Sequence, residues 1–450
     1  MRRAAAMLLA ACWFFLGMPG VALAHGIGGR LDLPVPMSFF IVGAGIVLVA
    51  SFVALAVLWP KSRFQDGPRN RPIRARWMKP FFAVAKGLGV AGLILVVVSG
   101  VVDFFKDSSG RNIAPVLVWV GFWLVVPFLG AVFGNVYSAV NPWRTIFAST
   151  GIGDTERPQL TQRFGVWPAA IGLVAFTWME LVNRNGAAPS TLAAAALVYS
   201  GYLLVLARRF GRETAFTSAD IFTPYTRLIS SIAPFGRDRD QQPVWRGWLR
   251  ALPVLPEWKG LAAFVIVMIG TVSYDGLSAT AWWGQNLPFL KGSVLVETLC
   301  LVAMCGLIGA AYYGACALAA RIGGGEAGTA RTASRFAHTL VPIAFAYAFA
   351  HYFTLIIFEG QLLISSLSDP FGLGWDLFGT AGRMVDFFLT PVAVWYVQVL
   401  TIVTGHVLGV VLAHDRALAD YQPERAVRSQ YAMLGLMVGL TGLGLVILAG

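Results

Sequence analysis

Residues 338–361 read HTLVPIAFAYAFAHYFTLIIFEGQ, with no Asp, Glu, Lys or Arg before Glu359. About 20 such residues, wound as a helix, cross the ~30 Å hydrocarbon core of a bilayer. Lipid offers the backbone no hydrogen-bond partner, so the run must be a helix. Comparable runs lie at about 37–59, 81–102, 115–138, 164–182, 190–207, 260–275, 294–319, 387–412 and 431–450. With 338–358 they predict an all-α fold, a polytopic integral membrane helix bundle of about ten transmembrane helices. The runs near 164–182, 190–207 and 260–275 are short or contain proline.

The rest of the composition agrees. Of 450 residues, 57% are apolar and 12% charged, where soluble domains carry about 25% charged residues. So few charges cannot clothe a water-facing globule of this size; the solvent they imply is the lipid bilayer. A net charge of +12 could suggest nucleic acid, but the placement of the charge argues otherwise. With the mature N-terminus exported, the inside loops are 60–80, 139–163, 208–259, 320–337 and 413–430. These loops and Lys86 hold 26 Lys and Arg, against 6 in the outside segments. Such asymmetry orients membrane proteins with the basic loops in the cytosol, where they meet anionic lipid. It leaves no charge to assign to nucleic acid, and it places the mature N-terminus and the C-terminus outside, in the periplasm, for a chain in the inner membrane. The long basic loop at about 208–259 carries Trp245, Trp248 and Trp258 and is expected to lie along the inner leaflet as an amphipathic segment.

Residues 1–24 read as a secretory signal, with Arg2 and Arg3, an apolar stretch, and Ala22-Leu23-Ala24 as an A-x-A cleavage site. Cleavage there leaves residues 25–450 as a single transmembrane domain with His25 first. Two other fates are a lipoprotein-type cut at Cys12 and a retained anchor. An N-terminal His chelates copper through its amine and imidazole, so His25 is a metal candidate, although any cleaved signal must end somewhere. Cys300, Cys305 and Cys316 share one apolar run and read as small buried residues; a thiolate metal site within that helix is the alternative.

Acids gather at the outer ends: Asp32, Asp103, Asp107, Glu180, Asp275, Glu297, Glu359, Asp369, Asp376 and Asp386. Loop acids are usually just solvated. Glu180 and Glu297 adjoin apolar helix, and an ionisable group at membrane depth is by default a functional candidate. Among the histidines, His351 lies about 13 residues, or ~20 Å, above His338, in the outer half of the bilayer. Tyr347, His351 and Glu359 share roughly one helical face and suggest a wall of an outward-opening polar cavity. Interhelical hydrogen bonding accounts for them equally well. Haem would need His351 and His406 at matching depth, whereas their positions differ by ~10 Å at 1.5 Å per residue. No H-x-H, H-E-x-x-H, paired C-x-x-C, P-loop or G-x-S-x-G motif is present.

Several stretches carry a resemblance: AHGIGGRLDLPVP (24–36), SFVALAVLWP (51–60), NPWR (141–144), TVSYDGLSAT (271–280), HTLVPIAFAYAFAHYF (338–353), SDPFGLGWDLFGT (368–380) and GHVLGVVLAHDRAL (405–418). Over most of its length the chain resembles bacterial polytopic membrane proteins labelled fenitrothion hydrolase. The resemblance implies hydrolysis of an aryl dialkyl phosphorothioate, an apolar small-molecule substrate, by one subunit of a complex with a related membrane subunit. It supplies no site residues. A hydrolase reading places a divalent metal ion in the outer half to acidify a bound water, with His351 and Glu359 as ligands and Asp275 or Asp376 as a further ligand or general base. The rivals are a copper- or haem-handling membrane protein, using His25, His351 and His406, and a secondary transporter, against which the lack of a visible internal repeat weighs.

Overall fold

The computed structural model describes residues 36–450 except 69, 74–77, 107–111, 158, 239–241, 325–327 and 386–388. The leader 1–24, Cys12 and His25 lie outside the described residues, as do Asp32, Asp107 and Asp386. In chain order the helices that matter are α1 (Met37–Leu58), α2 (Met78–Lys106), α3 (Ile113–Phe133), α4 (Trp167–Leu181), α5 (Pro189–Phe210), α6 (Arg212–Ser218) and α7 (Phe222–Ser230). There follow α8 (Leu261–Ala279), α9 (Val294–Gly323), α10 (Val341–Phe358), α11 (Pro391–Asp420) and α12 (Tyr431–Ala449). Among the described residues, nine helices are long and apolar enough to cross a membrane. The tenth expected span, α4, is apolar but has only 15 residues, about 22 Å of rise. The chain is an all-α polytopic bundle.

Helix α8 is its axis: 83% of its apolar window is buried, against 17% for α2, whose apolar side chains face outward. The packing of α8 against α4, α9 and α10 therefore decides which polar side chains meet in the middle. Helix α11 packs against α10 and the turn before it through two glycines. A Cβ on Gly405 would stand 2.3 Å from Ala346 Cβ, and one on Gly409 3.0 Å from the Thr339 carbonyl oxygen. This is a small-xxx-small contact, the usual device for bringing helices together where lipid provides no hydrophobic drive.

In α3 the turns at Leu117–Val125 widen into a π-helix, the Val126 amide reaching back to the Gly121 oxygen. Pro127 follows; it has no N–H and its ring would strike a carbonyl of a regular α-turn. The wider turn avoids that collision and presents Trp119 and Trp123 to the interior, where both are buried.

The stretch 208–259 departs from the expected surface segment over its first half. Nearly every residue of α7 is buried. Tyr225 stacks on Trp123, halfway along α3, with ring centroids 4.6 Å apart. Asp220, between α6 and α7, binds the hydroxyl of Tyr199, halfway along α5, at 2.5 Å. The chain thus leaves α5 at the basic end, rises through α6 to mid-depth, and descends through α7 to a glycine-lined contact of Gly134 with Phe235 beyond α3. It is a re-entrant helical hairpin. Its broken backbone is tolerated because protein surrounds it: the Phe222 amide donates to Asp220 and the Ile221 amide to the Tyr199 hydroxyl. At the exit, Arg246 caps the end of α7 through the Ser230 oxygen at 2.5 Å and the Ala233 oxygen at 3.2 Å; burial lowers its pKa to about 10.

Three short antiparallel strands close the basic end in the order β1 (Arg71–Pro72), β3 (Pro243–Trp245), β2 (Phe235–Arg237). They tie the loop after α1 to the segment after α7. Trp245 and Trp248 remain exposed there, while the Arg227 guanidinium lies 4.5 Å over the Trp258 ring.

Candidate functional site

Asp275 stands one turn before the end of α8, in the motif TVSYDGLSAT. Its Oδ2 accepts two hydrogen bonds of 2.8 Å, from His351 Nε2 and from the Tyr352 hydroxyl, both on α10. Gly276 makes the contact close: a Cβ there would meet Ile447 at 2.2 Å and His351 Nδ1 at 3.4 Å. Because a carboxylate only accepts, the pairing puts the imidazole hydrogen on Nε2 and leaves Nδ1 basic. The His351 side chain is 21% exposed and that of Asp275 6%, so the dyad joins a buried carboxylate to a partly exposed imidazole.

A second carboxylate faces the first. Glu180, near the end of α4, is turned toward Asp275, the Tyr352 hydroxyl and the Trp123 indole N–H, and Tyr225 of the re-entrant hairpin lies beside it. Glu180 Oε2 and Trp123 Nε1 are both sealed from solvent, and the indole N–H faces the carboxylate without closing a hydrogen bond of full geometry. Four helices and the hairpin therefore contribute His351, Asp275, Tyr352, Glu180, Trp123 and Tyr225 to one intramembrane cluster. It is equipped for proton transfer.

The structure brings His351 and Asp275 together; Glu359 and Asp376 do not join them. Glu359 is exposed at the end of α10, and Asp376 is exposed in the following loop, where its Oδ1 accepts from the Ala381 amide at 2.9 Å. The stripe of Tyr347, His351 and Glu359 is likewise divided. The Tyr347 hydroxyl donates to the Leu440 carbonyl of α12, because side chains one turn apart on a crossing helix meet different neighbours. Glu297, the other acid singled out at membrane depth, pairs with Arg184 at 2.8 Å and accepts from the Gly292 amide at 2.8 Å, closing a turn. Tyr352 and Tyr225 carry no sequence signal beyond a hydroxyl in apolar surroundings.

Of the metal candidates, His351 and His406 do not converge, and His25 lies outside the described residues. His406 binds the Ile402 carbonyl through Nδ1 at 2.8 Å and lies 5.6 Å from the Tyr347 ring, while Nε2 of His351 is held by Asp275. Among the described residues no group of three or more His, Cys, Asp or Glu side chains could hold a metal ion, and Cys300, Cys305 and Cys316 are free thiols. This donor set, among the described residues, does not fit a bound metal. Comparison with protein-family models, with curated proteins and with solved structures finds no match.

Proposed function

We propose that this protein is a membrane-embedded hydrolase of apolar esters, of the aryl dialkyl phosphorothioate kind that its resemblance implies, working through the His351–Asp275 dyad. The carrying observation is the 2.8 Å bond from His351 Nε2 to a buried carboxylate that Tyr352 also holds. Such pairing orients an imidazole as general base and stabilises the imidazolium it becomes. In the proposed step His351 Nδ1 takes a proton from water as its oxygen bonds to phosphorus. The phosphorus–aryloxy bond breaks, and the nitrophenolate leaves with the electron pair. The proton on His351 then departs to solvent, so one ester and one water yield a dialkyl phosphorothioic acid and a nitrophenol. A substrate dissolved in hydrocarbon reaches an intramembrane site by lateral diffusion, which suits an apolar ester.

This reading places the chain in the inner membrane, its basic loops in the cytosol and both termini at the periplasmic side, with a related membrane subunit as partner. The test is nitrophenol release by membranes expressing the chain alone and with a related neighbour chain. Release that His351→Ala abolishes supports the proposal; wild-type membranes inert in both settings overturn it. A Soret band or stoichiometric copper in the purified protein would select the metal-handling alternative.

A further inference from the structure

A second buried acid site lies at the apex of the re-entrant hairpin. Asp220 is fully buried. Its carboxylate accepts from Tyr199 and Thr223 hydroxyls at 2.5 Å each, from the Tyr137 hydroxyl and the Phe222 amide at 3.2 Å each, and from Asn141 Nδ2 at 3.5 Å. From there a polar trail leads toward the basic end: Asn141 Oδ1 accepts from the Arg144 amide at 2.9 Å, and Arg144 pairs with the half-exposed Glu213 at 2.9 Å.

Between this site and the Glu180–Asp275 cluster stands a layer of aromatic rings. Phe222 packs against Phe122 at 4.6 Å, Phe176 at 5.0 Å and Tyr199 at 5.8 Å. Phe176, one turn below Glu180 on α4, packs against Trp123 at 4.9 Å. Two acid clusters therefore approach mid-depth from opposite ends of the bundle, and an apolar septum centred on Phe222 and Phe176 parts them.

We infer that the two clusters are the half-channels of a proton pathway across the membrane, with the septum on the re-entrant hairpin as its barrier. On the acidic side the partly exposed His351 is the entry, followed by Asp275, Tyr352 and Glu180, with Tyr225 as the link onto the hairpin. Trp123 is a donor only and cannot relay, whereas tyrosine hydroxyls both donate and accept. On the basic side Tyr199, Asp220 and Tyr137 continue the path, while Asn141, held by the Arg144 amide, positions the carboxylate and carries no proton. At each hop one O–H or N–H bond breaks and another forms, so charge moves with no other reactant. The ion is a proton and not a metal cation, because every contact to Asp220 is a donor and two of them are N–H groups, which repel a metal. The pathway shares His351 and Asp275 with the proposed hydrolysis, and its test uses only residues outside that dyad, so either reading can fail alone.

The full chain, purified into liposomes holding a pH-sensitive dye, is given a valinomycin-clamped potassium potential and the internal pH is followed. Phe222→Ala should speed proton entry at least about tenfold, the change produced by about 1.4 kcal/mol off a barrier. Phe176→Ala, on a different element, serves in case the hairpin variant fails to fold, as judged by monodisperse elution in detergent. Adding Asp220→Asn to either opened variant should return entry to the wild-type rate. The inference is overturned if both folded Phe variants are as tight as wild type. It is equally overturned if the Asp220→Asn double variant stays fast, or if the opened variants pass sodium or choline as readily as protons.

Discussion

Asp415 at the basic end of α11 and Asp275 near the far end of α8 are buried alike, yet their surroundings differ in kind. Asp415 accepts from the segment that follows α1: the Trp59 indole at 3.3 Å, the Arg63 amide at 2.5 Å, the Phe64 amide at 3.2 Å and Gln65 Nε2 at 2.7 Å. His414 beside it bridges the Trp59 carbonyl oxygen and Gln430. Every lone pair is used on groups that cannot leave, and the outcome is a pinned loop. Asp275 instead holds two titratable side chains and faces a second carboxylate, that of Glu180. A fully satisfied buried network rigidifies; one that joins a buried carboxylate to a partly exposed histidine is where the proposed chemistry can act.

That contrast can be broken most directly at His351. His351→Ala should lower nitrophenol release by about 10²–10⁴-fold, the usual worth of a general base, in protein that still elutes folded and monodisperse in detergent. Retained activity would make the Asp275 site structural, like that of Asp415. The reverse is expected of Asp415→Ala, which strands several buried donors. It should cost about 3 kcal/mol or more of stability, read as a lowered unfolding midpoint, with hydrolysis per folded molecule unchanged. A loss of activity at full stability would erase the distinction from the other side. Gly405→Ala probes the contact that sets α10, the bearer of His351, against α11, the bearer of Asp415. Its Cβ would fall 2.3 Å from Ala346 Cβ, so overpacking of about 1–3 kcal/mol is expected, with both stability and rate reduced. An unaffected midpoint would show that the two helices are free to part. Tyr352→Phe sharpens the comparison most finely. It removes one of two bonds to Asp275 Oδ2 and should slow hydrolysis by up to about tenfold, in keeping with ~0.5–1.5 kcal/mol per hydrogen bond.

Much of this molecule is readable from local composition. The spans follow from runs of apolar residues, since each helix must satisfy its own backbone in lipid; the expected 338–358 run and the observed α10 nearly coincide. The re-entrant hairpin escaped the same reasoning. FTPYTRLIS is too short and polar to score as a span, and only the ring of helices around it makes mid-depth habitable. The histidine and aspartate of the site could be suspected singly because charge is scarce in apolar surroundings. Their pairing could not, and Glu359, sharing a face with His351 on an isolated helix, proved to lie beyond the contact.

The sequence by itself determined that this chain is an α-helical membrane bundle with a basic and an acidic end, because hydrocarbon imposes those terms on each segment separately. Tertiary structure alone decided that Asp275, His351, Tyr352 and Glu180 meet, and that the hairpin reaches mid-depth between them and Asp220. Helix rotation and crossing set those meetings, and both arise from side chains packing against residues far away in the chain.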